Sequence, residues 1–294
     1  MQCSQPLVSV VIPCYNHEKF VQDSIQSVID QTYENIELII IDDGSKDGSV
    51  KKIKEMVDVC KERFVRFEFR SRPNKGLSST LNEALEWCQG KYFSALASDD
   101  QMLANKTSIQ INYLENNNDV HAVMSSVNWI DIHNNVVSKR NLPYIEYNFE
   151  DIFLSKQTLY ACTQISRLDS IKSLGGYKVG CTIEDWYMWL KLSELGKLVS
   201  LEETLVNYRL HDDNTIKKGE VIYSGMIEIA EEYKLHPLFL KAVKQIVWIR
   251  IAAIILQDKK KGGRFFKETF EADKMVVFNK NFYRCLRNFI KKPV

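Results

Sequence analysis

The apolar positions of the first hundred residues fall into short runs separated by stretches of helical spacing. Leu7 to Ile12 is a β-branched run ending at Pro13 and reads as a buried strand. From Lys19 to Gln31, Phe20, Ile25, Val28 and Ile29 recur at helical spacing. Ile36 to Ile41 is a second strand and ends in Asp42-Asp43-Gly44-Ser45. Asp47 is placed to cap a helix over Ser49 to Lys61. Phe64 to Phe69 predicts a third strand, and Leu77 to Cys88 a third helix closed by Gly90. Tyr92 to Leu96 is a fourth strand, ending at Asp99-Asp100.

Strands alternating with helices predict βαβ units, hence an α/β fold with a mostly parallel central sheet flanked by helices. Such sheets bind ligands beyond the carboxyl ends of their strands. Tyr15-Asn16, Asp42-Asp43 and Asp99-Asp100 each follow a strand, so three strand ends aim polar groups at one crevice.

The second half is less regular. Ala104 to Asn117 reads as a helix, Val120 to Ile130 as a strand, and Asn141 to Ser155 as a polar and aromatic connection. Glu184 to Leu195 is an amphipathic helix carrying Trp186, Tyr187 and Trp189. Leu198 to Leu210 contains a strand running into Tyr208-Arg209-Leu210-His211. Helical patterns follow over Val221 to Lys234 and Pro237 to Leu256, and Lys259-Lys260-Lys261 leads to Gly262-Gly263. The softest boundary lies near residues 214–220. It divides a domain over 1–215, with halves of about 1–103 and 104–215, from a helical extension over 216–294.

Composition narrows the class. The 294 residues are 45% hydrophobic and 26% charged, which excludes a disordered or collagen-like chain. With 39 basic and 38 acidic residues the net charge is +1, so a surface built wholly for nucleic acid is not expected. Seven widely spaced cysteines without a CxxC pair argue against a disulfide framework or structural zinc and for a reducing cytosol. The N-terminus lacks a secretion signal pattern. Ile246 to Leu256 is interrupted by Arg250 and too short to span a bilayer. A cytoplasmic protein is the expectation.

Four acids, Asp42, Asp43, Asp99 and Asp100, converge on the crevice. Crowded carboxylates raise one another's pKa unless a cation joins them, and carboxylate oxygens suit magnesium or manganese. A cation so held keeps positions for phosphate oxygens, which predicts a nucleoside diphosphate ligand. An Asp-Asp pair can also simply cap a helix, here one starting near Ala104. No Walker sequence or GxGxxG pattern is present, so the usual phosphate cradles of ATP hydrolysis and hydride transfer are missing. Cys14 lies near His17, but a catalytic thiol needs an activating partner, and Cys14 is read as a variable loop position.

Several strings occur in a diagnostic order: Val10-Val11-Ile12-Pro13-Cys14-Tyr15-Asn16, Ile41-Asp42-Asp43-Gly44-Ser45 with Asp47, and Asn74-Lys75-Gly76-Leu77-Ser78 with Asn82 and Gly90. Leu96-Ala97-Ser98-Asp99-Asp100, Glu184-Asp185-Trp186 and Tyr208-Arg209-Leu210-His211 follow. Each is weak alone. As an ordered set over about residues 7–215 they make the chain resemble the family 2 glycosyltransferases, which have the Rossmann-like GT-A fold. The resemblance does not reach the C-terminal quarter.

The resemblance implies roles residue by residue. Pro13, Tyr15 and Asn16 match the loop that meets the nucleotide base. Asp42, with Asp43 beside it, matches the carboxylate on the uracil or ribose side. Asn74, Lys75 and Gly76 match a loop near the base and first phosphate. Ser98, Asp99 and Asp100 match the aspartate motif, with Ala97 where the family often has another acid; Asp100 is the expected direct ligand of Mn2+ or Mg2+, and Asp99 lies nearer the ribose. His211 matches a histidine that completes the metal shell or contacts the diphosphate. Asp185 matches the general base that deprotonates the acceptor hydroxyl, and Glu184 an acceptor-binding neighbour. Trp186 is expected to stack on the acceptor sugar and Trp189 to be core.

The implied activity is inverting transfer of a hexose or N-acetylhexosamine from a UDP-sugar. The acceptor is a glycan or lipid-linked sugar, in bacterial surface-polysaccharide (O-antigen or capsule) synthesis. The alternative is a non-catalytic nucleotide-sugar or glycan-binding module on a degenerate transferase fold, which predicts a missing base or metal motif. A nucleotidyltransferase would instead release pyrophosphate and need a basic phosphate loop. The tail interleaves Phe265, Phe266, Phe270, Phe278, Phe282, Tyr283, Leu286, Phe289 and Ile290 with Arg264, Lys267, Arg284, Arg287, Lys291 and Lys292. Such a pattern packs its aromatic face on the domain, lies on an anionic lipid surface, or binds single-stranded nucleic acid. The resemblance favours the second over the third and implies peripheral contact with the cytoplasmic face of the inner membrane.

Overall fold

The computed structural model describes residues 5–212, 214, 219–272, 274 and 280–291. The chain divides into two compact units, Met1–Phe149 with Thr158–His211, and Glu150–Gln157 with Asp212–Val294.

The first unit opens with β1 (Val8–Cys14), α1 (Val21–Ile29), β2 (Ile36–Asp42), α2 (Ser49–Lys54), α3 (Val57–Arg63), β3 (Arg66–Ser71), α4 (Leu77–Trp87) and β4 (Tyr92–Ala95). Then come β5 (Gln101–Met102), α5 (Lys106–Asn116), β6 (Val120–Ile130), β7 (Val136–Arg140), β8 (Ile145–Tyr147) and α6 (Phe149–Phe153), the last running into the second unit. A 3₁₀ turn (Ala161–Thr163), β9 (Ile165–Arg167), α7 (Leu168–Ser173), α8 (Glu184–Leu195) and β10 (Lys197–Arg209) complete it.

The strands form one ten-stranded sheet ordered β3-β2-β1-β4-β9-β6-β10-β5, with β7 on β6 and β8 on β10. The half built from β1 to β4 is parallel throughout, β2 with β3, and β1 with both β2 and β4. β9 pairs antiparallel with β4 and β6, and so joins this half to the parallel β6–β10 pair. β1 and β2 are covered on both faces, which is why they read as apolar runs rather than alternating ones. In register, Cys14 lies beside Asp42 and Asp42 beside Ser71, so three strands end at one level.

Some elements depart from their sequence pattern. The helix expected over Ser49–Lys61 breaks at Glu55–Met56 into α2 and α3, and its N-cap is Gly48, not Asp47, although Asp47 Oδ1 accepts the Ser49 N–H at 3.0 Å. The Asn141–Ser155 connection contains β8 and α6. Gly90 is not a left-handed helix cap. It packs where an added Cβ would lie 2.7 Å from Ser9 N and 2.8 Å from Leu7 O. Its N–H donates to Ser9 Oγ at 3.0 Å and to the buried Glu37 Oε1 at 3.1 Å. Close approach to β1, not backbone freedom, demands glycine there.

The second unit holds α9 (Gly219–Glu231), α10 (Phe239–Gln257), α11 (Lys259–Ala272) and α12 (Lys280–Ile290). Glu150–Gln157 belongs with it because Phe153 packs on Tyr233 and His236, at ring separations of 5.3 and 5.8 Å. The boundary expected at 215/216, with Phe278 and Lys292, lies outside the described residues. Lys259-Lys260-Lys261 and Gly262-Gly263 are helical, and a Cβ on Gly262 would meet the Ile255 backbone at 2.7 Å, so glycine lets α11 sit against α10. The tail divides its apolar residues. Phe265, Phe266, Phe270, Phe282 and Phe289 pack around Trp248 and Cys285 inside the unit, whereas Tyr283, Leu286 and Ile290 are exposed. Among the described residues no helix is long and apolar enough to cross a membrane.

Candidate active site at the strand ends

Asp42 terminates β2 and is fully buried. Its Oδ1 accepts from Ser71 Oγ at 3.0 Å and Ser45 N at 3.2 Å, while Oδ2 is buried without a hydrogen-bond partner. Asp43 is engaged differently. Its Oδ1 accepts the Lys75 N–H at 2.8 Å and pairs with Arg72, and its Oδ2 accepts the Gly76 N–H at 2.9 Å. Arg72 also donates to Glu83 Oε2 at 2.7 Å and Thr80 Oγ1 at 3.0 Å. Asp43 therefore shapes the exposed Asn74-Lys75-Gly76 loop, whereas Asp42 keeps one carboxylate oxygen buried without a partner. Gly44, at φ +78°, permits this approach, since a Cβ would lie 2.6 Å from Asn74 N.

After β1, Asn16 adopts φ +56° and is tied to the β2 loop: its N–H donates to Ser45 Oγ and its Oδ1 accepts the Lys46 N–H, both at 2.8 Å. Pro13 lies within β1, and Tyr15 is 44% exposed beside Asn16. Next comes His17, whose N–H donates to Ser49 Oγ at 2.9 Å and whose carbonyl accepts from Phe20 and Val21 at the start of α1.

The acids after β4 part company. Asp99 Oδ2 lies 2.8 Å from His211 Nε2, and Asp99 Oδ1 lies 3.9 Å from His17 Nδ1, which is 2.7 Å from Ser98 Oγ. His17, Asp99 and His211 each offer a ligand atom within 4.8 Å of the others. Burial would raise the Asp99 carboxyl, but the His211 hydrogen bond and the two imidazoles hold it below its usual range. Asp100, expected as the direct metal ligand, turns inward: its Oδ1 accepts the Arg209 N–H at 2.8 Å, and Cys162 contacts its carboxyl. Burial, then the Asp99 charge, push Asp100 well above the ordinary carboxylate range. The metal-capable groups thus gather around Asp99, and Asp100 anchors the end of β10. Burial likewise lifts the Cys14 thiol to about 11, which makes it a poor nucleophile.

Arg209 organises this region. Fully buried, it donates Nε to the Asp99 carbonyl at 2.8 Å and Nη1 to the Asp131 carbonyl at 3.2 Å, pairs with Asp23 at 3.2 Å, and sits 4.8 Å from the Phe20 ring centre. It presents Asp99 from behind while its own chain carries His211 two residues on.

Glu184 and Asp185 begin α8, where the helix dipole favours negative charge. Asp185 Oδ1 accepts the Trp186 N–H at 2.7 Å. Burial raises the Asp185 carboxyl, opposed by that N–H. Burial, then the Asp185 charge, lift Glu184 to about 8. The preceding loop is clamped to α4: Asn82 Nδ2 donates to Tyr177 O and Asn82 Oδ1 accepts the Tyr177 N–H, both at 2.7 Å. Trp186 is only 6% exposed, almost as buried as Trp189, whose Nε1 donates to Gln164 at 2.5 Å. A sugar platform needs an open ring face, which Trp186 does not present.

The Glycosyl transferase family 2 model matches residues 9–174, more than half of the chain. The chain belongs to glycosyltransferase family 2. A glycosyltransferase of Haemophilus influenzae is 30% identical over 227 residues, which cover 71% of this chain and 67% of that protein. Other relatives are longer, and the transferase matches only 36% and 37% of the length of two of them. Among solved structures, S. aureus TarS 1–349 in complex with UDP-GlcNAc superposes with TM-score 0.65 at 17% identity, covering 98% of this chain and 82% of that one. The mannosyltransferase PcManGT from Pyrobaculum calidifontis, in complex with GDP-Man and Mn2+, gives 0.63 at 12%, covering 97% and 84%. The transferase therefore has the GT-A fold, with C-terminal helices beyond it. Three residues that organise these strand ends escaped the sequence pattern. Arg209 and Arg72 stood in or beside quoted strings without roles, and His17 follows Tyr15-Asn16. The available signal was chemical: a cation or imidazole on a strand-end loop full of carboxylates.

Proposed function

We propose that this transferase moves a hexose or N-acetylhexosamine from a UDP-sugar to a glycan or lipid-linked sugar with inversion, as a step in bacterial surface-polysaccharide synthesis. The observation that carries the reading is the His17–Asp99–His211 cluster beyond the carboxyl ends of the parallel strands. Its donor set of imidazole and carboxylate suits Mn2+, and also Mg2+ through the carboxylate, with Asp99 and His211 as the holding residues. A divalent cation there would offset the charge that develops on the diphosphate. The partnerless Asp42 Oδ2 suits an N–H donor such as uracil N3, which supports a uridine nucleotide. Complexes of TarS with UDP-GlcNAc and with UDP support the same donor class.

In the proposed step the acceptor oxygen bonds to the anomeric carbon. The bond from that carbon to the β-phosphate oxygen breaks, and its electron pair leaves with UDP. Asp185 Oδ1 is fixed by Trp186 N–H, so Oδ2 receives the acceptor proton. Glu184 keeps its own proton up to about pH 8 and serves as a hydrogen-bond donor to the acceptor.

The test is UDP release from UDP-glucose, UDP-galactose and their N-acetyl forms, with and without oligosaccharide and lipid-linked acceptors. Release should require Mn2+ or Mg2+ and stop with EDTA, and the product should have the opposite anomeric configuration by NMR. Pyrophosphate as the product, retention of configuration, or no acceptor-dependent release from any donor refutes the reading.

A peripheral membrane contact is proposed for the C-terminal unit. The exposed Tyr283, Leu286 and Ile290 of α12, with Arg284 and Arg287 between them, support it by combining apolar and basic groups on one helix. Co-sedimentation with vesicles containing anionic lipid should fall several-fold in Leu286→Ser/Ile290→Ser and at high salt. Equal sedimentation of both proteins counts against it.

A further inference from the structure

We infer that His17 is a protein ligand of the nucleotide-site cation, completing a set of two histidines and one carboxylate with Asp99 and His211. The inference rests on the proposed metal-assisted transfer and adds a residue and a metal preference to it.

Geometry carries it. His17 reaches the site from the loop after β1, Asp99 from the segment after β4, and His211 from the end of β10. Three separate strand ends thus each deliver one donor to a single point. Metal bonds of about 2.1 Å put neighbouring donors on one ion about 3 to 4 Å apart. The three candidate atoms already lie within 4.8 Å of one another, so modest side-chain adjustment suffices. The imidazole planes stand edge to face, at 86° and 5.7 Å between centres, as two rings directed at one centre can.

The His17 ring is held in place independently of any cation. Its backbone is fixed by Ser49 on one side and by the first turn of α1 on the other. Ser98 Oγ lies 2.7 Å from Nδ1, and Phe20 packs against both imidazoles, at 6.2 and 5.3 Å between ring centres. Such support around a metal-binding imidazole orients the ring before the ion arrives.

The donor set has a chemical consequence. Mg2+ favours oxygen ligands and retains its waters, whereas two imidazoles with one carboxylate leave open positions and favour Mn2+, Co2+ or Fe2+. The transferase should therefore bind Mn2+ and Co2+ in preference to Mg2+. His17 is what tilts that choice.

The experiment is pulsed EPR of the full-length protein with Mn2+ and UDP, which counts directly bound imidazole nitrogens, alongside Mn2+ titration. Wild type should show two histidine nitrogens, and His17→Gln one, with Mn2+ bound at least about tenfold more weakly. His17→Asp, which substitutes an oxygen donor, should recover affinity and shift the Mn2+-to-Mg2+ preference toward Mg2+. Two nitrogens persisting in His17→Gln, or a single nitrogen in wild type, overturns the inference and leaves the transferase reading intact. Absence of any Mn2+ binding to wild type with UDP overturns both. Should His17→Gln fail to fold, His211→Gln decides: one remaining nitrogen supports His17, and none refutes it.

Discussion

Asp185→Asn is expected to lower acceptor-dependent UDP release by about 10² to 10⁴, the range a positioned general base contributes, with donor binding nearly unchanged. The Asn side chain keeps the size of Asp185 and can still accept the Trp186 N–H, so the start of α8 should survive. Rates across a pH series make the test sharper. Burial raises both carboxyls, but Glu184 goes to about 8 partly because Asp185 is already charged. Asp185 therefore ionises first. Activity should rise as pH climbs through the Asp185 pKa, then fall above about 8 as Glu184 loses its donor proton. Glu184→Gln should preserve the acid limb and remove the alkaline one. Retention of full turnover by a folded Asp185→Asn would transfer the base role to another residue.

The same substitution has a stability signature. The folded pKa of Glu184 is raised above the ordinary 4.5, so the folded state binds its proton more tightly than the unfolded chain does. Its contribution is intact below about 4.5 and is lost as pH rises toward 8. Glu184→Gln abolishes that loss. Denaturant unfolding should show the variant more stable than wild type at pH 8, by about 4 kcal/mol, and about equal at pH 4.5.

Arg209→Met should unfold about 2 to 4 kcal/mol more easily than wild type in urea, the cost of leaving buried carbonyl acceptors unpaired. The guanidinium joins the Asp99 and Asp131 carbonyls and Asp23, and methionine fills the volume without replacing any of those bonds. Arg209→Lys should recover little, because one ammonium cannot span three acceptors with the fork geometry that Arg supplies. Any folded fraction should also bind Mn2+ weakly, since Arg209 positions both Asp99 and His211. Wild-type stability in Arg209→Met would mean that the acids hold their places by packing alone.

Much of the site is legible in the sequence because strand ends are. An apolar run followed at once by acids puts those acids at the carboxyl end of a parallel strand, and register then aligns the ends. His211 is expected from the family resemblance alone, whereas Asp42 and Asp99 follow from that rule. The choice between Asp99 and Asp100 does not. Adjacent residues leaving a strand point different ways, and only the packing of β10 shows that Asp100 accepts the Arg209 N–H. The same holds for Asp43, which looks equivalent to Asp42 until Arg72 and the 74–76 loop claim both its oxygens. Trp186 and Trp189 share a helix, and both are buried because α8 packs on β6, β10 and α7, which periodicity cannot see.

The order of hydrophobic runs and strand-end acids determined the alternating architecture, the location of the crevice and the family of this transferase. These are consequences of local pattern, since burial on two faces and turn chemistry are written over a few neighbouring residues. The tertiary structure decided which acid joins the two histidines, which residues serve only as scaffolding, and how the basic tail divides its phenylalanines between core and surface. Those outcomes depend on contacts across as many as 186 positions, as between Asp23 and Arg209, where chain folding rather than sequence spacing sets the distance.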